Sequence, residues 1–477
     1  MRMMTVVPLF TLACSASADL PGGRLAGAKV TDTGGGEASC ADAPEVTFTD
    51  VIVAAGAGPC FTSNRVRVVG DMLLTDDQWE PSELTCVCAI EGSLYINDNP
   101  ALTSGLPFSN LEELTGNLYI QDNPLLTTLE GLHNVPSSGG AVYLTELPAL
   151  VDMNGLRSLT SAQYELRIEE TAASTVGLER FASVGLLHVE DYDGTDLAGL
   201  TGLSSLNVLQ IDDCPNLTRI DGLTALTHLD TARIQDNDAL IDLTGLSALT
   251  EVDGRLTVAG NDALVDFTGL EALREVGNLD VRNNPALSAL TGLSALSDLN
   301  RLTLQDSPLV TSLTGLGPLT TVNHLTLSRL DGLTSLQGIE GVTRIRRDLS
   351  LRFLDGLTDL SGLEALAQVE GLSIEGCGGL ESLDGLDALS TVTGELYLWS
   401  NDALERLDGA EALRTVGELT VIEHDVLVDV TALHGLDEVT DGLEIRGNAS
   451  LATADAEALR DAIGTISGGI TILNNAP

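Results

Sequence analysis

The stretch Gly254–Val276, GRLTVAGNDALVDFTGLEALREV, is one complete unit of a repeat that accounts for nearly all of the chain after residue 90. Each unit opens on an apolar-x-apolar triplet followed by an asparagine position, and most units start about 23 or 24 residues apart. A fixed period of this length indicates stacked supersecondary units, so we expect one solenoid and not about three globular domains. The triplets begin at Leu94, Leu118, Val142, Leu166, Leu187, Leu209, Ala232, Leu256, Leu279, Leu302, Leu325, Leu349, Leu372, Leu396, Leu419, Leu443 and Ile470.

The order of residue types within the unit predicts how one turn is built. Leu256-Thr-Val258 forms a short strand whose first and third side chains point into the core, while the middle one points outward. Asn261 then turns the chain off the sheet, and Leu264–Val276 returns along the far side with Gly269 at a second corner. A single unit cannot bury its own apolar face, so the units must stack with their strands in parallel. We therefore expect a β-solenoid of about 17 turns, with its body over residues 92–452.

The N-terminal edge of the array carries a more specific pattern. Cys88-Ala-Ile-Glu-Gly-Ser-Leu-Tyr-Ile is followed by repeated Asn-Pro-x-Leu and Gly-Leu-x-x-Leu segments, beginning with Asn99-Pro100. About residues 86–477 resemble the receptor L-domain family of leucine-rich-repeat-like proteins. The resemblance implies a mainly β, right-handed parallel β-solenoid with a capped C-terminus. It implies no particular ligand, because family members bind different ligands and this chain has one long array where the receptors have two short domains.

Two segments depart from the regular pattern. The repeat weakens between Gly139 and Leu206, but its period never fails, so we expect one continuous stack. Residues 453–477 predict a C-terminal cap made of a short helix and a last strand at Ile470–Ile472. The helix is indicated by Thr453 with Glu457 and by the alanines between and after them.

The first residues predict export. Residues 1–18 combine an early arginine, an apolar run and small residues before Asp19, which is typical of a short secretory signal. Phe10-Thr-Leu-Ala-Cys14 resembles a bacterial lipobox with Cys14 as the lipidated residue, so a cell-surface lipoprotein and a secreted protein are both open. An unprocessed cytosolic start is a third alternative. Residues 19–45 have the composition of a flexible tether.

Four cysteines crowd the region before the first regular turn. Cys40, Cys60, Cys86 and Cys88 predict two disulfides in an exported chain, within an N-terminal cap over residues 46–91. Cys86 and Cys88 are two residues apart on a strand and point the same way, so each is expected to pair with Cys40 or Cys60. Such a cap would cover the apolar end layer of the solenoid.

Cys214 and Cys377 are expected to be buried free thiols. Each occupies the position that asparagine holds in other turns, where the side chain points inward and satisfies backbone groups of the turn. Seven turns separate them, roughly 33 Å at about 4.8 Å per strand, which is far beyond disulfide reach.

The charge balance excludes some classes of partner. The chain has 70 acidic and 23 basic residues and a formal net charge of -47, so it should repel nucleic acid and anionic lipid. A column of acidic residues follows the strands and indicates either a solvated edge or calcium binding. Its members are Asp98, Asp122, Glu146, Glu170, Asp191, Asp213 and Asp236.

The sequence gives no pattern typical of a catalytic or metal centre. The six histidines fall in different turns without ligand spacing, and no nucleophile motif stands in its required context. Arg233 and Arg282 are the outward basic residues that a polysaccharide lyase could use, and neither lies in a recognisable motif. We therefore expect no enzyme activity, no metal site and no cofactor, with calcium as the one ion left open.

The outward middle position of the strand triplet offers the best indication of function. Tyrosine takes it in three consecutive turns, arginine and histidine in the next two, and tyrosine again near the C-terminus beside a tryptophan. Exposed aromatic columns are common contact surfaces, although cross-strand packing that only stiffens the sheet would give the same pattern. The candidate binding residues are Tyr95, Tyr119, Tyr143, Arg167, His188, Tyr397 and Trp399.

These observations predict an exported, non-enzymatic binding or adhesion scaffold at a bacterial cell surface. Its partner would be a protein or a glycan, and any contact with membrane would be through a lipid anchor at Cys14. A calcium-dependent β-solenoid that binds or cleaves polysaccharide is one alternative, and a purely structural envelope protein is another.

Overall fold

The computed structural model describes residues 45–47, 65–76, 79 and 84–477. Over these residues the chain forms a parallel β-solenoid in which each strand pairs with the equivalent strand of the next turn. The strands form a four-stranded sheet near the N-terminus and a 23-stranded sheet that runs to the C-terminus. The predicted fold class, a mainly β parallel solenoid of leucine-rich-repeat type, is confirmed.

Most strands after residue 180 are eight to ten residues long. The four-stranded sheet contains Glu45–Thr47, Val66–Val69, Val87–Glu91 and Glu113–Leu114. The larger sheet contains Met72–Leu74, Leu94–Asn97, Leu118–Gln121, Ser137–Ser138, Val142–Thr145, Ser161–Ala162, Glu165–Thr171, Ser183–Tyr192, Ser205–Asp212, His228–Leu229, Thr231–Gln235, Glu251–Ala259, Glu275–Arg282, Asp298–Gln305, Thr321–Val322, His324–Ser328, Arg344–Arg352, Gln368–Glu375, Thr391–Trp399, Thr415–Ile422, Glu438–Arg446, Thr465–Ile466 and Gly469–Leu473. Short 3-10 helices on the return path span Asn154–Leu156, Ala198–Leu200, Asp221–Leu223, Thr244–Leu246 and Thr431–Gly435.

The strand triplet has the predicted alternation. Leu256 and Val258 are fully buried, and Thr257 between them faces outward and is half-buried. The strand is longer than the triplet, because Glu251–Ala259 also includes Val252 from the end of the preceding return segment. The pairing register shifts between Val252 and Arg255, so one strand bends around a corner and contributes to two faces of the solenoid.

The stack is continuous where the repeat weakens. Val142 pairs with Leu166, Leu166 with Leu187 and Leu187 with Leu209, all in parallel register. At the N-terminal end Met72 pairs with Leu94, so the larger sheet begins one turn earlier than residue 92, inside the segment that we assigned to the cap.

Inside the solenoid, the asparagine positions form a buried ladder of hydrogen bonds. Asn261 is fully buried, and its side-chain nitrogen donates to the carbonyl oxygens of Ile234 at 3.0 Å and Ala259 at 3.1 Å. Its side-chain oxygen accepts a hydrogen bond from the backbone nitrogen of Asn237 at 3.2 Å. Each asparagine thus ties its own turn to the preceding one and satisfies backbone groups that the tight turn would leave unpaired.

Cysteine and histidine replace asparagine in three turns of this ladder. Cys214 and Cys377 are fully buried and unpaired, which confirms the prediction of free thiols. Burial raises the pKa of the Cys214 thiol to about 12 and that of Cys377 to about 11. His424 takes the same position, and its Nδ1 accepts a hydrogen bond from the backbone nitrogen of Asn401 at 3.1 Å.

The C-terminal cap contains the expected helix, α1, at Thr453–Ala462, followed by the last strand, Gly469–Leu473. Ala456 and Leu459 pack the helix onto the open end of the stack, where both are fully buried. The N-cap position belongs to Ala452, and no side chain caps the helix. Thr453 is the first helical residue, and its hydroxyl donates to the carbonyl oxygen of Ala476 at 2.8 Å.

Several N-terminal predictions fall outside the described residues. They are the signal or lipoprotein segment with Cys14, the tether apart from its last residue, and the cysteines Cys40 and Cys60. Cys86 and Cys88 are buried at the start of the stack, and their pairing with those two cysteines stays a prediction. Across the part of the chain that is described, no helix is long and apolar enough to cross a membrane.

Candidate binding surface

Tyr95, Tyr119 and Tyr143 form a stacked column, here called the tyrosine ladder. They pair directly in register across three strands, with ring centroids 4.6 and 4.7 Å apart and ring planes within 6° of parallel. This spacing is set by the distance between neighbouring strands. All three side chains are half-buried on the outer face of the sheet.

Stacking decides which part of the rings a partner can reach. Both faces of Tyr119 are covered by its neighbours, so the ladder presents ring edges and hydroxyl groups. The Tyr119 hydroxyl accepts a hydrogen bond from Asn117 Nδ2 at 3.1 Å, and the Tyr143 hydroxyl donates to Glu165 Oε2 at 3.2 Å. Burial, together with the charge of Glu165, raises the pKa of Tyr143 to about 12.

Arg167 and His188 continue the column in the next two turns, where carboxylates contact both side chains. Arg167 contacts Glu165 at 3.0 Å and Glu169 at 3.2 Å, and His188 Nε2 lies 3.2 Å from Glu190 Oε2. Burial alone would raise the pKa of Glu165, but the nearby His188 imidazole and the charge of Arg167 outweigh it and hold that pKa below its usual range. The two basic groups therefore extend the surface without making it positive.

Tyr397 and Trp399 lie on the same face but far from the other candidates. Nine turns separate His188 from Tyr397, roughly 43 Å along the stack at about 4.8 Å per strand. Trp399 Nε1 donates to Glu423 Oε2 at 2.9 Å. The predicted binding residues thus divide into two separate surfaces.

A cavity of about 330 Å³ lies beside Tyr397, and sequence patterns did not single out its residues. Small side chains form its floor, and small outward residues carry no sequence signal of their own. We call it the serine cavity. Its principal lining residues are Asp348, Ser350, Arg352, Ser373, Glu395 and Tyr397.

Phe353 is a second residue that sequence reasoning missed. It is 43% exposed and has a positive φ of 53°, a conformation that is rare for an aromatic residue. In the next turn Gly376 takes the equivalent position, and a Cβ there would lie 2.7 Å from the Phe353 ring. The glycine therefore leaves room for the ring to lie across the neighbouring turn.

The acidic column has a backbone explanation that the sequence did not reveal. Every member has a left-handed conformation with φ between 46° and 54°, at the point where the chain leaves the sheet. Asn, Asp and Gly tolerate this conformation best, and Gly260 takes the same position in the turn after Asp236. Turn geometry therefore accounts for the aspartates, and the column places like charges close together. A hydrogen bond with Asp122, partial burial and neighbouring carboxylates raise the pKa of Glu146 to about 7.

Acidification from about pH 8 to pH 5 should raise the melting temperature by roughly 2–4 °C. The pKa of Glu146 rises from its ordinary 4.5 to about 7, and burial raises that of Asp212 from 3.8 to about 6. Between the ordinary and raised values the folded chain binds more protons than the unfolded chain. The resulting stability is complete below the ordinary values and is lost as the pH rises through 6 and 7. Calorimetric scans at several pH values measure the effect.

The variant Glu146→Gln isolates the contribution of the acidic column. His424 acts in the opposite direction, because burial lowers its pKa below the ordinary 6.5 and its stabilising effect is lost as the pH falls. Glutamine can still hydrogen-bond to Asp122 but does not titrate, so the variant should show a smaller gain on acidification. An unchanged gain would show that Glu146 does not hold a proton near neutral pH.

The two outward arginines that a polysaccharide lyase could use both form ion pairs with carboxylates. Arg233 Nε lies 3.0 Å from Asp212 Oδ1, and Arg282 forms an ion pair with Asp280. Each arginine therefore has a structural partner on the sheet face. Neither is placed as a free base.

Strand register brings one histidine close to carboxylates that are remote in sequence. Ligand atoms of His228, Glu251 and Asp253 lie within 4.8 Å of one another, and Asp230 is 3.7 Å from the imidazole. The sequence did not predict this grouping, because His228 is more than 20 residues away from Glu251 and Asp253 and they meet only through strand pairing. The imidazole lies 3.5 and 3.6 Å from Glu251 and Asp253 and is close to half exposed, and exposed acidic groups of this kind are common without a metal ion.

Comparison with known proteins finds only distant similarities. No family model and no curated protein matches the chain. Similar solved structures include TLR13 in its ssRNA13 complex, with 17% identity, a TM-score of 0.37 and coverage of 86% of this chain and 65% of that one. An internalin, InlF, from Listeria monocytogenes has 19% identity, a TM-score of 0.27 and coverage of 66% and 86%. A leucine-rich-repeat protein from Leptospira interrogans has 15% identity, a TM-score of 0.29 and coverage of 83% and 95%.

Similarities with identities below 20% and TM-scores below 0.5 carry no argument about this chain. The present chain spans about 65% of the length of the TLR13 chain that it matches. The period of the sequence and the parallel stack together define it as a solenoid of the leucine-rich-repeat type.

Proposed function

We propose that the chain is a non-enzymatic binding scaffold that presents the tyrosine ladder to a protein partner. The observation that carries the proposal is the register of Tyr95, Tyr119 and Tyr143, which stacks three rings on the outer face of a rigid sheet. Tyrosine provides a large contact area at a low cost in side-chain entropy and is enriched at protein interfaces. A rigid row of tyrosines is therefore preorganised for contact.

The geometry favours a protein over a glycan at this surface. A sugar would need an open ring face, and the two interfaces within the ladder cover both faces of Tyr119 and one face each of Tyr95 and Tyr143. Ring edges and hydroxyl groups remain, and these suit the mixed polar and apolar contacts of a protein interface. The formal net charge of -47 would favour a partner with a basic surface and would speed its association at low salt.

Export to the cell surface is part of the proposal. The N-terminal segment supports it, through a lipid anchor at Cys14 or through simple secretion. Binding without catalysis is supported by the side chains around the ladder, since Arg167 and His188 are held by carboxylates. The rival view is that the stacked tyrosines only stiffen the sheet.

Removing two tyrosine rings of the ladder should strongly reduce partner capture if the ladder is the contact surface. We expect the double variant Tyr95→Ala with Tyr119→Ala to capture at least tenfold less partner from intact cell envelopes than the wild-type chain does. Quantitative pull-down with mass spectrometry measures the difference.

Tyr164→Ala serves as the matched control, because Tyr164 is 61% exposed and lies outside the ladder. It should capture as much partner as the wild-type chain does. Equal capture by the double variant would favour a purely structural role for the tyrosines. Tight calcium uptake together with glycan cleavage would instead support the polysaccharide-acting alternative.

A further inference from the structure

The serine cavity exists because two successive turns carry small outward residues. Ser350 and Ser373 take the middle strand position that tyrosine, arginine or histidine takes elsewhere, and they pair in register. Gly371 keeps the floor open beside them. A Cβ at Gly371 would lie 2.9 Å from Asp348 Oδ1, so glycine also makes room for that carboxylate.

The floor of the cavity holds a buried hydroxyl group without a partner. Ser350 is only 9% exposed, and its Oγ makes no hydrogen bond within the described chain. The neighbouring Ser373 hydroxyl, in contrast, donates to Glu375. Buried hydroxyl groups in folded proteins are nearly always hydrogen-bonded, so the Ser350 hydroxyl is available to a ligand in the cavity.

The charges around the cavity favour a neutral ligand. Three carboxylates are each paired with a basic side chain. The pairs are Asp348 with His324 at 3.1 Å, Glu370 with Arg347 at 3.1 Å and Glu375 with Arg352 at 3.0 Å. Their remaining lone pairs can accept hydrogen bonds from hydroxyl groups, and Arg352 can donate to ligand oxygens. The lining carboxylates would repel an anion, and the basic partners of Asp348 and Glu370 reduce the attraction for a cation, although Glu395 has no such partner among the described residues.

Tyr397 provides an apolar wall of a kind that the tyrosine ladder lacks. Its neighbours in register are Ser373 and Thr420, and neither is large enough to cover an aromatic ring. In the ladder, Tyr119 is covered by a ring on each side. The electron-rich face of an uncovered ring attracts the polarised C–H groups of a sugar.

We propose that the serine cavity binds one unit of a neutral saccharide, with the sugar ring against Tyr397. The sugar hydroxyl groups bond to Asp348, Glu395 and Ser350, and Arg352 donates to a sugar oxygen. A cavity of about 330 Å³ is at the lower end of the range for small-ligand sites, which suits a single sugar unit of a longer chain. This site lies apart from the tyrosine ladder, and its argument does not rest on the function proposed there.

The test is a glycan array probed with the purified full chain. The array carries neutral oligosaccharides of glucose, mannose, galactose, xylose and N-acetylated hexosamines, next to sialylated and sulfated glycans and an oligolysine peptide. The wild-type chain should bind at least one neutral glycan. Tyr397→Ala should weaken that binding at least about tenfold, and Ser373→Trp, which fills the cavity, should abolish it.

Control measurements keep a negative result interpretable. Tyr164→Ala, at an exposed tyrosine outside the cavity, should bind within about twofold of the wild-type chain. Thermal unfolding followed by circular dichroism establishes that each variant is folded, and Ser350→Ala offers a milder change than Ser373→Trp. The proposal is overturned if no neutral glycan binds, if only anionic glycans or oligolysine bind, or if Ser373→Trp binds as well as the wild-type chain.

The probe and the variants leave the tyrosine ladder unchanged. Failure of saccharide binding would therefore not affect the protein-binding function proposed for the ladder. Likewise, loss of partner capture by the ladder double variant would not affect the serine cavity.

Discussion

Replacing Gly269 with alanine should destabilise the solenoid by about 4 kcal/mol or more, which is at the extreme of single substitutions. Gly269 has a φ of +108°, which side-chain-bearing residues rarely adopt, and a Cβ there would lie 2.1 Å from the Leu243 backbone. Neither problem can be relieved without moving a corner of the turn away from the preceding one. Urea unfolding followed by circular dichroism measures the loss.

Gly469→Ala is the matched control for this substitution. Gly469 begins the last strand, in the C-terminal cap, and nothing lies within 4 Å of the place that its Cβ would take. We expect its stability to stay within about 1 kcal/mol of that of the wild-type chain. If Gly269→Ala unfolded at the same denaturant concentration as Gly469→Ala, the close approach of successive turns at this corner would be wrong.

Replacing Asn261 with alanine should cost about 3 kcal/mol, because it removes three hydrogen bonds inside the solenoid and leaves the buried backbone nitrogen of Asn237 without its acceptor. The carbonyl oxygens of Ile234 and Ala259 lose a donor, and the backbone nitrogen of Asn237 loses its acceptor. Asn216→Ala is the control, since Asn216 is exposed and its side chain donates to the exposed Asp193 at 3.3 Å. Its effect should stay within about 0.5 kcal/mol, and equal losses for the two variants would argue against the buried ladder.

The natural cysteines suggest an intermediate variant at the same position. The Cys214 sulfur lies 3.2 Å from the carbonyl oxygen of Asp212, and the Cys377 sulfur lies 3.7 Å from those of Leu351 and Glu375. A thiol thus keeps part of the hydrogen bonding of asparagine, although each bond is weaker. Asn261→Cys should therefore unfold between Asn261→Ala and the wild-type chain in the same urea titration.

The regular part of the fold was predictable because many copies of the unit carry the same pattern of apolar and turn-forming residues. Each copy places apolar residues at the same two strand positions, so an error in one turn does not change the prediction. The continuation of the strand through Val252 was not predictable, because the bend depends on backbone register and not on residue type. The strand at Met72–Leu74 was not predicted from the sequence, because Asp77 occupies the position that asparagine has in other turns.

The candidate surfaces were only partly predictable. Ring stacking in the tyrosine ladder follows from the period alone, because identical positions in consecutive turns must lie one strand apart. The carboxylates that contact Arg167 and His188 come from both their own and adjacent turns, and sequence does not give side-chain orientation. The serine cavity arises from small residues beside Tyr397, and small residues at an outward position form no sequence motif.

The two buried thiols can serve as probes of local unfolding at two places in the solenoid. Cys214 and Cys377 are inert while their turns stay closed, since both are fully buried and burial keeps their thiol pKa values high. Modification of each therefore reports the opening of its own turn. Each turn is stabilised mainly by its nearest neighbours, so the turns around the two thiols can unfold locally at different rates. The relative labelling rates of these thiols thus measure how far cooperativity extends along the array.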